Sequence, residues 1–402
     1  MLFLLRLGVL GPQYVAFKTI SRLLFTTETL PLNKVDPKQY QQAVPGPDDE
    51  IIVGMSSGVD LSVAASLYAE KFKNVRGIYM ANWSQTAKCL EDEWKDVQRV
   101  CLQLGIPCER VNFEKEYWTD VFEPMIEMYK NGMTPNPDVG CNKFVKFGSM
   151  VKHLHERQST STTSKKWWLV MGHYARIMRH EPDQKFHLLR GLYPYKDQSY
   201  YLLMMPLNIL SRVLMPIGHL TKPEVREMAL ARGLLTAKKP DSQGLCFVGQ
   251  DQTRFSNFLS EFIVPKKGTF ITKDEGLVVG EHDGVWLATI GQRARVCMPQ
   301  GDAKYKGQWF VCEKRVETNQ LVIVQRANNP ALYSKNLTVI NWDLMVPTID
   351  IERDLSSMSG LTVQHRSLQE KPGIVKSISL KDGKVQINLE TEVRALAPGQ
   401  YI

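Results

Sequence analysis

Two of the seven cysteines in this 402-residue chain stand where a thiol could react. In "PNPDVGCNK", Asp138 precedes Cys141 by three residues, inside a Pro-rich turn read as non-helical, so carboxylate and thiol can project into one pocket. Lys143 and Lys146 follow, and nearby cations favour the thiolate, the nucleophilic form. Cys246 lies in "DSQGLCF", a Gly-containing loop behind Lys238 and Lys239. The other five, Cys89, Cys101, Cys108, Cys297 and Cys312, fall in helix- or strand-like patterns, where cysteine is ordinarily inert packing. On residue context alone, packing stays the rival reading for Cys141 and Cys246 as well. An odd, scattered count without a C-x-x-C pair fits neither a disulfide framework nor a zinc ribbon, and no metal ligands are assigned.

A second stretch with chemistry in it is "IIVGMSSGVDLSVAASLYAE", residues 51–70. It reads as strand, tight polar turn and helix. Small residues let a backbone approach a phosphate, a helix N-terminus offers amides, and Ser56 and Ser62 offer hydroxyls. Neither G-x-x-x-x-G-K-[ST] nor G-x-G-x-x-G occurs here, and a merely capped βα turn is the alternative.

These residues need elements to hold them. "IIVGM", "VRGIYMANW" and "PCERVNF" read as strands, with "LSVAASLYAEKF" and "EDEWKDVQRVCLQLG" as helices between them. "WWLVMGHYAR" supplies one more strand after "RQSTSTTSKK", read as an exposed loop. The alternation predicts an α/β fold with a doubly wound parallel sheet. From about residue 213 the pattern turns helical, then loop-rich. From about 268 it becomes short alternating segments such as "WFVCEKR", "QLVIVQR", "GIVKSISL" and "KVQINLE", which predict a small β-barrel or sandwich. The expected division is 1–45, 46–212, 213–285 and 286–402, in keeping with the length.

The first 45 residues hold Arg6, Lys18, Arg22, Lys34 and Lys38 against Glu28 and Asp36, the composition of a mitochondrial transit peptide or a disordered leader. No stretch has the roughly 18 uninterrupted apolar residues of a membrane span. The net charge is +8, yet residues 141–240 hold 17 Lys plus Arg against 6 Asp plus Glu. Such a segment favours a polyanionic partner, with a solvated surface as the alternative.

"GMSSGVDLSVAA" resembles the S-G-G-x-D-S loop of the PP-loop ATP pyrophosphatases. "YMANW", "EYWTDVFEPMIEMYKNGMTPNPDVGCNKFVKF", "MGHYAR", "KDQSYYL", "TAKKPDSQGLCFVG", "IGQRARV" and "VRALAPGQ" together resemble the tRNA-specific 2-thiouridylases, most of all their mitochondrial branch. The resemblance implies a PP-loop domain, a small central α/β domain carrying the second cysteine, and a C-terminal β-barrel that binds tRNA. It implies ATP and Mg²⁺ at Gly54, Met55, Ser56, Ser57, Gly58, Val59, Asp60 and Leu61, with Met80 and Gly172 on the adenine or ribose side. The reaction implied is adenylation of the 2-carbonyl of the wobble uridine in lysine, glutamate and glutamine tRNAs, followed by sulfur transfer. Cys246 would carry the persulfide, received from a sulfur relay or a cysteine desulfurase. Cys141 would be its partner nucleophile, releasing the sulfur through a disulfide or assisting attack, and Asp138 the general acid/base. Asn136, Pro137 and Asp138 would contact the target base. His173, Lys196, Asp197, Gln198, Arg366, Ser367 and Gln400 would contact the anticodon stem-loop of the tRNA. A monomer of the mitochondrial matrix is expected.

The chain departs from that pattern at several positions. Ser57 stands for a glycine and Leu61 for a serine that would donate to a phosphate. Ser367 follows the arginine where a larger residue is expected, and the chain stops at "PGQYI", before the last strand or two expected of the barrel. Leu61 fits a weakened enzyme, a tRNA-binding pseudoenzyme, or a leucine codon that the organism reads as serine. A PP-loop ligase acting on a small molecule is the remaining alternative, one that would need no paired loop cysteines.

Overall fold

The computed structural model describes residues 32–83, 87–160, 165–241, 252–298, 303–342, 354, 360–369 and 371–402. Cys246 and residues 1–31 of the expected leader lie outside the described residues. Residues 32–45, also assigned to that leader, belong to the fold. Strand β1 (Tyr40–Gln41) pairs antiparallel with β6 (Ala175–His180), and Asn33 N–H donates to the Leu192 carbonyl at 2.9 Å.

The centre is a five-stranded parallel sheet of β2 (Glu50–Met55), β3 (Val75–Ala81), β4 (Cys108–Asn112), β5 (Trp167–Val170) and β8 (Val213–Leu214). Its order is β4-β3-β2-β5-β8. Strand β2 is apolar without alternation because both faces are covered. Ile52 packs with Ile78 and Leu169 on one side, while Ile51 and Val53 pack with Val170 on the other. Helices α1 (Val59–Ala69) and α2 (Ala87–Leu104) make the crossovers from β2 to β3 to β4. The chain then returns to the opposite side of β2, so the strand order reverses between β2 and β5. In such sheets ligands bind beyond the carboxyl ends of the strands at that reversal.

Three expectations need correction. "WWLVMGHYAR" is two strands: Val170 pairs with Leu214 in the parallel sheet, whereas β6 pairs with β1 and with β7 (Phe186–Arg190) in a separate sheet. "RQSTSTTSKK" begins as helix, since α6 extends to Thr160. The turn around Cys141 is helical too. After α3 (Glu114–Tyr117), the π-helical Trp118–Phe122 and α4 (Glu123–Lys130), the short α5 (Pro137–Gly140) runs into π-helical Cys141–Ser149 and then α6 (Met150–Thr160). Pro137 occupies the first turn, where a missing N–H costs nothing and its fixed φ suits a helix.

Helix α7 (Lys222–Ala231) opens on a capping box between Thr221 and Glu224, and its Val225 and Ala229 share the core of α1. With β8 in the parallel sheet, that sheet runs past residue 212, where the sequence placed the boundary after its second segment. Helix α8 (Gln252–Ser260) leads to a four-stranded sheet of β9 (Gly268–Thr272), β10 (Val278–His282), β11 (Trp309–Arg315) and β12 (Gln320–Gln325). An antiparallel half-barrel follows, in which β13 (Tyr333–Val339), β16 (Lys384–Arg394), β15 (Gly373–Lys381) and β14 (Thr362–Val363) are neighbours in that order. The turn in "KDGK" has positive φ at Asp382 (51°) and Gly383 (70°), the pairing that a tight two-residue hairpin needs. Among the described residues no helix is long and apolar enough to cross a membrane.

Candidate active site

The loop from Ser56 to Gly58 leaves the carboxyl end of β2 at the reversal of strand order and enters α1. Gly58, the N-cap, is extended (φ −86°, ψ 160°), and no side chain caps the helix. The first-turn amides of α1 therefore point out of the loop with the positive end of the helix dipole behind them, which fits a phosphate. Met80 near the end of β3 and Gly172 just beyond β5 lie at the same edge of the sheet. A Cβ on Gly172 would come within 2.7 Å of Leu61 Cγ, so Leu61 and Gly172 abut and a larger residue would have to displace the leucine side chain. Ser56 Oγ accepts from the Gly58 N–H at 3.3 Å. Ser62, read as a phosphate ligand, is fully buried and donates to the Gly58 carbonyl at 2.9 Å, so its hydroxyl is turned away from any phosphate.

Asp60 is anchored from two other elements. Tyr174 Oη donates to its Oδ1 at 2.8 Å and Lys222 Nζ at 2.7 Å. Burial, and then the Asp60 charge beside it, pushes the Tyr174 phenol up, so it stays a donor. Both bonds fall on one oxygen. Among the described residues Oδ2 has no side-chain partner, and a carboxylate oxygen beside a phosphate cradle is the donor that Mg²⁺ prefers.

Cys141 is 5% exposed at the start of the π-helical stretch. It is thus not on a loop, as its sequence context suggested, and Asp138 lies one short turn before it. Burial raises the Asp138 carboxyl above its ordinary range, against the opposing field of Lys146. His173 is held well below its usual value by burial, and further by Lys146, so the ring is neutral. Among the described residues its buried Nδ1 has no hydrogen-bond partner, and its ring lies 6.0 Å from that of Phe147. Lys146 is five residues after Cys141, one turn of a π-helix, and its charge reaches both Asp138 and His173. Lys143 Nζ instead sits 4.8 Å from the centre of the Phe144 ring.

The remaining positions divide. Gln400 Nε2 donates to the Thr134 carbonyl at 2.6 Å, which brings the C-terminal tail beside half-buried Asn136 and buried Pro137. Arg366 is exposed and Ser367 half-buried on the half-barrel. Lys196 pairs with Asp241 at 2.9 Å. Asp197 and Gln198 face inward. Asp197 accepts from the amides of Gly191 and Ser199 and from Ser199 Oγ, and Gln198 Oε1 accepts from the Tyr174 amide. They shape the loop that presents Lys196 rather than facing outward themselves.

Of the cysteines taken as packing, Cys101 agrees, its thiol pushed up to about 12 by burial and then by neighbouring Cys108. Cys312 is half-buried and bonds the Val322 carbonyl, but Cys297 is exposed. Away from the site, His180, Asp183 and His187 place one ligand atom each within 4.8 Å of one another, a grouping that the sequence pattern did not suggest. Sequence reasoning also missed Tyr174, Lys222 and Asp241. The helical pattern after residue 213 marked the helix but not the carboxylate that its first residue, Lys222, reaches.

Residues 49–250 match the family described as tRNA methyl transferase HUP domain, and residues 256–325 match the tRNA methyl transferase PRC-barrel domain. The chain is 47% identical over 378 residues to the mitochondrial tRNA-specific 2-thiouridylase 1 of Saccharomyces cerevisiae, covering 89% of each. It is 39% identical over 356 residues to the tRNA-specific 2-thiouridylase MnmA of Ligilactobacillus salivarius, covering 88% of this chain and 91% of that one. Among solved structures, the U34-tRNA thiolase NcsA of Methanococcus maripaludis aligns with a TM-score of 0.31 at 16% identity, over 56% of this chain and 68% of that one.

Proposed function

Since this chain belongs to the tRNA-specific 2-thiouridylase family, we propose that it is the tRNA-uridine 2-sulfurtransferase of its mitochondria, exchanging the 2-oxygen of the wobble uridine for sulfur. The observation that carries the reading is the adjacency of residues 172 and 173. Gly172 abuts Leu61 of the phosphate-binding loop, and His173 packs against the helix that begins at Cys141. Nucleotide loop and thiol are thereby joined through two consecutive residues.

The first-turn amides of α1 and the Ser56–Gly58 backbone would hold the phosphates of ATP, with Asp60 Oδ2 toward Mg²⁺ and Met80 and Gly172 toward the nucleoside. ATP supplies the adenylyl group that makes the uridine 2-oxygen a leaving group. Asp138, with its carboxyl raised by burial, is placed to take and return a proton at the base. Asn136 and Pro137 flank the flipped uridine, while the neutral, buried His173 orders the wall of that pocket. The Cys246 persulfide attacks the activated carbon and AMP departs. The Cys141 thiolate then attacks Cys246 Sγ, releasing 2-thiouridine and leaving a Cys141–Cys246 disulfide for an external thiol to reduce. Lys196, Arg366 and Gln400 would grip the anticodon stem-loop, and a relay or cysteine desulfurase would recharge Cys246.

One observation favours a second reading, a tRNA-binding protein without turnover: Leu61 puts an isobutyl group where a hydroxyl would meet a phosphate. The test is 2-thiouridine in mitochondrial tRNA from cells whose only copy is Cys246→Ser. Loss is expected, and unchanged thiolation overturns the proposal. Wild-type protein that binds tRNA yet releases no AMP with it selects the second reading.

A further inference from the structure

The reading of residues 54–61 as the ATP loop makes Asp60 its acid, and the role of Lys222 rests on that reading. Lys222 reaches Asp60 from the first turn of α7, 162 residues along the chain. It then spans to Asp241 Oδ1 at 3.0 Å, and its side chain is only 11% exposed. Asp241 also accepts from Lys196 Nζ on Oδ2 at 2.9 Å and from Arg226. Arg226 donates in addition to the Ala237 carbonyl at 2.9 Å and to the Lys239 carbonyl, so residues 237–241 are stapled to α7. Helix α7 is packed on α1 through Val225 and Ala229. A nearly enclosed ammonium is stable only if the carboxylates it touches remain charged and in place.

We propose that Lys222 is a positioning residue that ties Asp60 of the ATP loop to the root of the segment carrying Cys246, which begins at Asp241 five residues before that cysteine. By occupying Asp60 Oδ1 it leaves Oδ2 as the oxygen that would hold Mg²⁺. By occupying Asp241 it fixes the residue from which the sulfur-bearing segment continues. Both half-reactions therefore share one anchor, and no salt bridge within either motif alone could provide it.

The full chain, charged with a low-molecular-weight persulfide that passes its outer sulfur to the Cys246 thiol and leaves as the free thiol, and given cognate tRNA, is assayed in parallel for AMP release and for 2-thiouridine. Lys222→Gln should raise the KM for ATP and the half-saturating Mg²⁺ by about tenfold or more, the scale of a lost hydrogen bond to a charged group. It should also lower the 2-thiouridine formed per AMP. Lys222→Arg, which keeps the cation, should recover part of both. Arg232→Gln, at the far end of α7 and paired with Glu70, should change neither. Asp241→Asn is isosteric and leaves Lys222 in place, so it carries the test should Lys222→Gln fail to fold, and both readouts must again shift. If a folded Lys222→Gln or Asp241→Asn protein keeps the wild-type KM, Mg²⁺ dependence and yield per AMP, the link is wrong. Asp60→Asn separates the two levels: if it moves the ATP dependence and Lys222→Gln does not, only the link falls. If Asp60→Asn moves nothing, the ATP-site reading falls with it.

Discussion

At the nucleotide end of the site Asp60 is held by polar partners from two distant elements, whereas at the cysteine end Asp138 is governed by burial. The same contrast extends to their neighbours. Burial alone would raise the Asp241 carboxyl, but bonds from Lys196, Lys222 and Arg226 outweigh it and hold the group well below the usual carboxylate range. Near Cys141 burial dominates instead, so Asp138 is pushed up and His173 down. On the proposed function, one end would keep charge fixed next to a polyphosphate and the other would let protons move, in line with the opposite pKa shifts of Asp241 and Asp138.

The largest effect should come from neutralising the proton-moving end. Asp138→Asn keeps shape and loses the titrating oxygen, so 2-thiouridine formation should fall about 10²- to 10⁴-fold, the usual range for a general acid/base. The KM for ATP should stay put, because Asp60 is untouched. Stability should move the other way. A carboxyl raised on folding stabilises the native state at pH below its unfolded value and loses that contribution as pH rises through the folded value. Asp138→Asn should therefore melt higher than wild type at pH 7, with the two curves converging under acid conditions. A lower melting temperature at pH 7 would show that Asp138 is held by partners, as Asp60 is, and the comparison would break.

The next effect sharpens the nucleotide end. Leu61→Ser should restore a donor to the phosphates and lower the KM for ATP about tenfold or more, as a hydrogen bond to a charged acceptor would. Gly172→Ala should raise the KM for ATP about tenfold in the wild-type background, the scale of one lost charged hydrogen bond, since the new Cβ would fall 2.7 Å from Leu61 Cγ and must displace it. Combined with Leu61→Ser, the same alanine should be far milder. Additive effects across that double-mutant cycle would mean that the two residues do not act on each other.

The difference between the two ends also explains what could be read in one dimension. The strand, turn and helix of residues 51–70 were legible because their signals are local: an apolar run, small turn residues and a helix start are consecutive. The parallel sheet was legible for the same reason, in runs such as "IIVGM". The Cys141 helix was misread because Pro137 signals a turn or a helix start equally well, and only the packing of Val139 and Tyr200 selects the helix. The ionic latch was invisible because its members lie far apart in sequence. The basic stretch 141–240 misled in part, since Arg157 pairs with Glu50 and Glu109, Arg232 with Glu70 and Lys239 with Asp96. Those acids lie outside the stretch, and part of its excess charge is thereby internal glue rather than a face for RNA.

The smallest expected effect probes how the cysteine end hears the RNA-binding end. Tyr200 packs against Val139, the residue between Asp138 and Gly140, and its hydroxyl donates to the carbonyls of Tyr401 at 2.9 Å and His365 at 3.1 Å. Burial pushes its phenol up, so it remains a donor. His365 precedes Arg366, and Tyr401 follows Gln400, so both proposed tRNA contacts are one peptide from that hydroxyl. Tyr200→Phe removes the bond and keeps the ring in place, at a cost of about 1 kcal/mol. If the half-barrel grips tRNA in register with the Cys141 helix through this contact, the Kd for tRNA should rise about fivefold, with the KM for ATP unchanged. Filter binding and pyrophosphate exchange measured on the same protein would check both. A shift in the KM for ATP alone would mean that Tyr200 serves the nucleotide end, and that the two ends are less separate than Asp60 and Asp138 make them.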